Sequence, residues 1–121
     1  MSNDAKLMPV EIRFTAEFKR NLRALAKRYR NIRSDIDPIL SQLQDGEFVG
    51  EQIPRVGYTL YKVRIRNSDA RRGKSGGYRV IYYLRTQTQV ILVTLYSKSE
   101  QSDISPTQVR RIIREFEETA S

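Results

Sequence analysis

The 121-residue chain has no cysteine and no histidine. Without cysteine there is no disulfide, no thiolate nucleophile and no thiolate-held metal. Without histidine the usual general base and the commonest metal ligand are gone, so chemistry of the serine–histidine type is excluded. Long apolar runs are missing too. The longest are Val80–Leu84 and Val90–Val93, far short of the roughly 20 residues that span a bilayer. The opening MSNDAKLMPV holds no apolar stretch of signal-peptide length. Absence of cysteine fits a reducing compartment. The expected location is the cytoplasm, with no membrane partner.

Acidic residues are scarce in one region only. The formal net charge is +8. Residues 51–99 hold ten basic side chains (Arg55, Lys62, Arg64, Arg66, Arg71, Arg72, Lys74, Arg79, Arg85 and Lys98) against two acidic ones, Glu51 and Asp69. The flanking segments are nearly balanced: nine basic and seven acidic residues before, three and five after. Charge added for solubility alone intersperses the signs, whereas segregated charge builds a field. A polyanion is therefore the expected partner, and nucleic acid the default one.

The chain length favours one domain, expected over residues 1–121 with residues 1–9 as a flexible lead. Val10, Ile12 and Phe14 alternate with Glu11 and Arg13, as in a short strand. Thr15 can cap a helix whose apolar stripe is Phe18, Leu22, Leu25, Ala26, Tyr29 and Ile32. The basic residues on its other face read as an ordinary solvated surface. Asp37-Pro38 reads as the start of a second helix over 36–45, stopped by Gly46, and 47–58 as a connecting loop. From Leu60 the period becomes two. Strands are expected at 60–66, 78–85 and 89–97, joined as an antiparallel meander. Ser105-Pro106-Thr107-Gln108 is a capping box opening a last helix with Val109, Ile112, Ile113 and Phe116 on one face. The order β-α-α-β-β-β-α describes an α+β domain of two layers.

Strand parity assigns faces. With Tyr61, Val63, Ile65, Val80, Tyr82, Ile91, Val93 and Leu95 turned to the helices, the opposite face gathers Lys62, Arg64, Arg79 and Lys98 with Tyr83 and Tyr96. A bulge would invert this assignment locally. A cationic sheet face with aromatics suits RNA. RNA carries its own nucleophile, the 2′-hydroxyl, so a catalyst need only align it, move protons and neutralise the phosphorane. Arg and Lys can neutralise, and a crowded Lys or a Tyr can exchange protons. A binding face without chemistry remains open on composition alone. Gly73-Lys74-Ser75 imitates the end of a phosphate-binding P-loop. Ser68 occupies the position of that motif's first glycine, and a strand follows instead of a helix. That reading is rejected.

The stretches YKVRIRNSDARRGKSGGYRVIYYL (Tyr61–Leu84) and VILVTLYSKSEQSDIS (Val90–Ser105) resemble RelE/ParE-superfamily toxins of bacterial type II toxin–antitoxin systems, their HigB/RelE-like branch above all. The likeness spans roughly residues 10–116. It implies a RelE-like domain: a helical hairpin and a C-terminal helix with a small antiparallel sheet. It also implies ribosome-dependent, metal-independent mRNA cleavage without a cofactor, neutralised by a cognate antitoxin; the partners are then the antitoxin, the ribosome and mRNA. The family's paired basic residues fall on Lys62 and Arg64, its Tyr-Arg on Tyr78 and Arg79, and its basic residue after the last strand on Lys98. Lys62, Arg64, Arg79 and Lys98 are the expected catalytic residues. Arg66, Arg71, Arg72, Lys74, Tyr78, Tyr83 and Tyr96 are the expected substrate contacts. A tyrosine found in RelE itself is replaced here by Ile104. Two other functions share the expectation: a gyrase-poisoning toxin of the ParE type on the same fold, and a non-catalytic RNA-binding module.

Overall fold

The structure, a computed structural model, describes residues 9–70 and 76–120. The expected flexible lead lies outside the described residues except for Pro9, as do Arg71, Arg72 and Lys74 of the basic loop. The elements are β1 (Glu11–Phe14), α1 (Ala16–Ala26), α2 (Ile32–Gln44), β2 (Glu51–Ile53), β3 (Leu60–Ile65), β4 (Tyr78–Thr86), β5 (Gln89–Ser97) and α3 (Pro106–Ala120). They build one sheet in the order β1-β5-β4-β3-β2. β1 runs parallel to β5, and the other pairs are antiparallel. The α+β class and the meander are as expected. The sheet is mixed because β1 joins β5 side by side after a crossover through the helices. The segment expected to be only a loop contributes β2, whose three residues pair with Leu60–Lys62.

Thr15 fastens the first helix to the sheet. Its hydroxyl accepts from the Phe18 N–H at 2.9 Å and donates to the Val93 carbonyl at 2.7 Å. Phe18 and Leu25 are buried below α1. The helix ends at Ala26, earlier than the apolar stripe suggests, and Ile32 opens α2 instead. No glycine or proline marks this break. It is held from outside: both Asp69 carboxylate oxygens accept from Asn31, one from its backbone N–H and one from its side-chain amide. Asp35 binds Ser68 through one oxygen, Oδ2, which accepts from both its N–H and its hydroxyl. These bonds tie the start of α2 to the segment after β3, with Ile32 and Ile36 buried on the same helix. Pro38 consequently sits inside the helix, where it forfeits one backbone bond, and not at its start.

Helices cover both faces of the sheet, giving three layers in place of two. Val63, Ile65, Tyr78, Val80, Tyr82, Val90, Leu92 and Leu95 pack with Phe18, Leu25, Ile32, Ile36 and Leu43 of the hairpin. Leu60, Ile81, Val93 and Tyr96 pack with Val109, Ile112 and Ile113 of α3. Counting by twos from Val90 and Leu92 puts Leu95 on the α3 side, together with Val93. The ladder prevents this, because Ile81 pairs with Thr94 while Tyr82 pairs with Leu92, leaving Val93 bulged. The bulge restores Leu95 to the hairpin side and turns Tyr96 toward α3, while Val93, and Ile91 opposite Tyr83, lie on the α3 side and not on the hairpin side expected of them.

Two expectations follow. Gly77 has φ +77°, and a Cβ there would lie 2.3 Å from the Ile65 carbonyl oxygen; Gly46 has φ +84° but open space around it. Gly46→Ala is expected to cost about 1 kcal/mol. Gly77→Ala is expected to cost at least twice that, because backbone must also move. Urea midpoints at unchanged m-value compare the two. The second concerns the tyrosines. Burial raises the phenols of Tyr78, Tyr82, Tyr83 and Tyr96, the last to about 12. Folded values above the unfolded one of about 10 mean a contribution to stability that is complete below pH 10 and lost as pH rises through the folded values. Absorbance at 295 nm is expected to show part of the tyrosine signal appearing only with alkaline unfolding.

Candidate nucleic-acid interface

β3, β4 and β5 bring three expected site residues into register. Arg64 lies opposite Arg79, and Arg79 lies opposite Tyr96. Residues opposite one another share a face, so the arginines stand side by side although like charges in such pairs repel. Lys62 is one same-face position from Arg64 along β3, opposite Ile81. Lys98 follows the end of β5, where its N–H bonds the Gly77 carbonyl at 2.8 Å. The two lysines thus flank the Arg64–Arg79–Tyr96 row from opposite sides. Arg66 is exposed beyond Ile65.

The side chains are held in different ways. Arg79 donates from Nη1 to the Gly76 carbonyl at 2.6 Å and to the Tyr78 carbonyl at 3.2 Å. Lys98 donates to the Ser102 carbonyl at 2.7 Å. Gly76 is hemmed in by both: a Cβ there would lie 2.6 Å from Lys98 Cγ and 4.0 Å from Arg79 Nη2. Lys62 pairs with Asp103 at 3.1 Å. Arg64 projects into solvent.

Asp103, in the loop between β5 and α3, is not among the site residues expected from the sequence. Its Oδ1 accepts from Lys62 at 3.1 Å, from the Tyr96 hydroxyl at 3.3 Å and from the Ile104 N–H at 2.8 Å. The Ile104 N–H, the largest influence, holds this carboxyl below the usual range; desolvation opposes it, and Lys62 and Tyr96 add to the lowering. Tyr96 is displaced upward, to about 12, by burial first and then by the neighbouring Asp103 charge. The signal for Asp103 was its place two residues before the capping Ser105, in the segment that also carries Lys98.

The tyrosines are placed otherwise than a stacking platform needs. Tyr78 is fully buried on the hairpin side, where its ring meets Tyr29 edge-on. Tyr96 is 5 % exposed beneath α3. Tyr83 is half-buried against Tyr58. So α3 packs on the face that parity gives to RNA, and the cations gather beside it. Beside Lys62 and Asp103 an apolar recess opens, lined by Ile53, Val56, Leu60 and Ile104. Among the described residues no group of three carboxylates is placed to hold a metal ion, and no helix is long and apolar enough to cross a membrane.

This arrangement can grip a phosphate between two guanidinium groups, with proton-carrying groups on either side. A family model described as RelE toxin of RelE / RelB toxin-antitoxin system matches residues 15–120. Comparison with individual curated proteins gives no match. The matched span takes in every described element but β1. The chain belongs to the RelE toxins of type II toxin–antitoxin systems, ribosome-dependent mRNA endoribonucleases that pair with a RelB antitoxin.

Proposed function

We propose that the Arg64–Arg79 pair, with Lys62 and Lys98 beside it, is where this toxin holds the mRNA phosphate that it cleaves. The observation that carries the reading is the register of the two arginines across β3 and β4, with Arg64 exposed and Arg79 half-buried. Arg79 stabilises the phosphorane. Its guanidinium is fixed by two backbone carbonyls, so little is reorganised when charge develops, and its planar fork matches two phosphate oxygens. Arg64 shares that duty from the neighbouring strand. Lys98, across the row from Lys62, protonates the departing 5′-oxygen. Arg66 extends the cationic track, and Arg71, Arg72 and Lys74 continue it in sequence. Tyr96 supports Asp103 from below and does not stack on a base. The motifs at 61–84 and 90–105 support a reading of the chain as one of the HigB/RelE-like branch, and the cytoplasm, where ribosomes are, is its proposed place of action.

Dependence on the ribosome suits such a site. A catalyst with no histidine gains most from a substrate already held in line by another machine. Arg79→Ala is expected to lower cleavage on programmed ribosomes by about 10²–10³, the usual scale for one oxyanion-stabilising group, and Arg79→Lys to recover part of it. Primer extension on ribosome-bound mRNA measures both, and undiminished cleavage by Arg79→Ala would refute the assignment. Removing the charge of Lys62, Arg64 or Arg79 is also expected to weaken ribosome association and flatten its salt dependence. Three variants that bind as the parent does would move the interface elsewhere.

A further inference from the structure

Cleavage through the 2′-hydroxyl needs a group that takes a proton at neutral pH. Ammonium, guanidinium and phenol have to lose one before they can. With no histidine in the chain, the natural acceptor is a carboxylate. Among the described residues, one carboxylate bonds to the cations of the site: Asp103. Its two oxygens are used unequally. Oδ1 takes all three bonds, from Lys62, Tyr96 and the Ile104 N–H. Oδ2 has no partner among the described residues, and the side chain is 64 % exposed. One oxygen is anchored while the other, on an exposed side chain, is left free of bonds to the described residues.

We infer that Asp103 is the general base of this toxin, accepting through Oδ2 the proton of the attacking 2′-hydroxyl. The inference rests on the reading that the arginine row holds the scissile phosphate. The step balances without a further reactant. The 2′-O–H bond breaks and its proton passes to Oδ2. The 2′-oxygen then bonds phosphorus while the bond from phosphorus to the 5′-oxygen breaks, and that oxygen takes a proton from Lys98. The products are a 2′,3′-cyclic phosphate and a 5′-hydroxyl. Asp103 then releases its proton to water, and Lys98 regains one.

The groups facing Asp103 are Lys62 from β3, Tyr96 from β5 and the backbone of Ile104; Arg79 acts on Tyr96 from β4. All of them favour the ionised carboxylate or leave it ionised. Glu51 is the other nearby carboxylate. It stands opposite Lys62 on β2, the edge strand on the far side of β3 from Arg79, and it is exposed.

The test is single-turnover cleavage on programmed ribosomes between pH 6 and 8.5. A carboxylate held below its usual range is fully in the base form throughout, so the parent rate is expected to stay flat. A base that must first shed a proton would instead give a rate rising about tenfold per pH unit. Asp103→Asn keeps an oxygen acceptor for Lys62, Tyr96 and Ile104 but cannot take the proton. It is expected to bind ribosomes and melt as the parent does, and to cleave about 10²–10⁴-fold more slowly. Asp103→Glu should recover part of the rate, and Glu51→Gln should leave it unchanged. A parent rate climbing with pH, parent-like cleavage by Asp103→Asn, or a loss at Glu51→Gln in place of Asp103→Asn would each overturn the inference. If Asp103→Asn is slow while Arg79→Ala cleaves normally, the base stands and the phosphate site is what moves.

Discussion

β5 is buried along its whole length from Val90 to Ser97, and this is the constraint from which the rest follows. A strand in the middle of a sheet with helices on both faces admits no charge. β4 beside it is nearly as restricted, with Tyr78, Val80, Ile81 and Tyr82 buried. The chain therefore places its cations around the margin of that buried centre: Arg79 near the start of β4, Lys98 just after β5, and Lys62 and Arg64 on β3. A segregated charge in the sequence becomes a compact field in space because the centre of the sheet excludes it.

That field is costly to the fold. Arg64 and Arg79 are cross-strand neighbours of like charge, an arrangement that destabilises a sheet. Arg79 offsets it by donating to two carbonyls, and Lys98 by donating to a third. Among the described residues, Asp103 is the carboxylate that bonds to this cluster. Its exposed pairing with Lys62 adds little to stability. A residue that adds little stability, yet accepts three bonds on a single oxygen, is better understood through the chemistry that its other oxygen serves.

Much of this architecture was legible because the signals were local. Period-two alternation located β3 and β4, the Ser105–Gln108 box located α3, and parity put Lys62, Arg64 and Arg79 on one face. What was not legible depended on partners distant in sequence. The end of α1 and the early start of α2 are set by Asp69 bonding Asn31 and by Asp35 bonding Ser68. The bulge at Val93 is a property of a ladder. The face of the sheet opposite the hairpin read as open because Ile81, Val93 and Tyr96 find their cover only when α3 returns. Asp103 escaped notice for the same reason. Its bonds to Lys62 and Tyr96 bring together three segments, and no spacing in the sequence announces them.

The packing of α3 and the chemistry of the site are therefore coupled. Val109, Ile112 and Ile113 seat this helix on Ile81, Val93 and Tyr96. The same seating brings the loop at 98–105 across the end of the sheet, where Lys98 meets the Ser102 carbonyl and Lys62 meets Asp103. Two lysines grip consecutive residues of one short loop, and the last helix fixes where that loop ends. The bulge at Val93 matters to both ends of this arrangement. Val93 supplies part of the apolar bed for α3, and its carbonyl receives the Thr15 hydroxyl that anchors α1. A single extra residue in β5 thus joins the two helical layers to the sheet and sets the position from which Tyr96 and Asp103 meet the cations of the site.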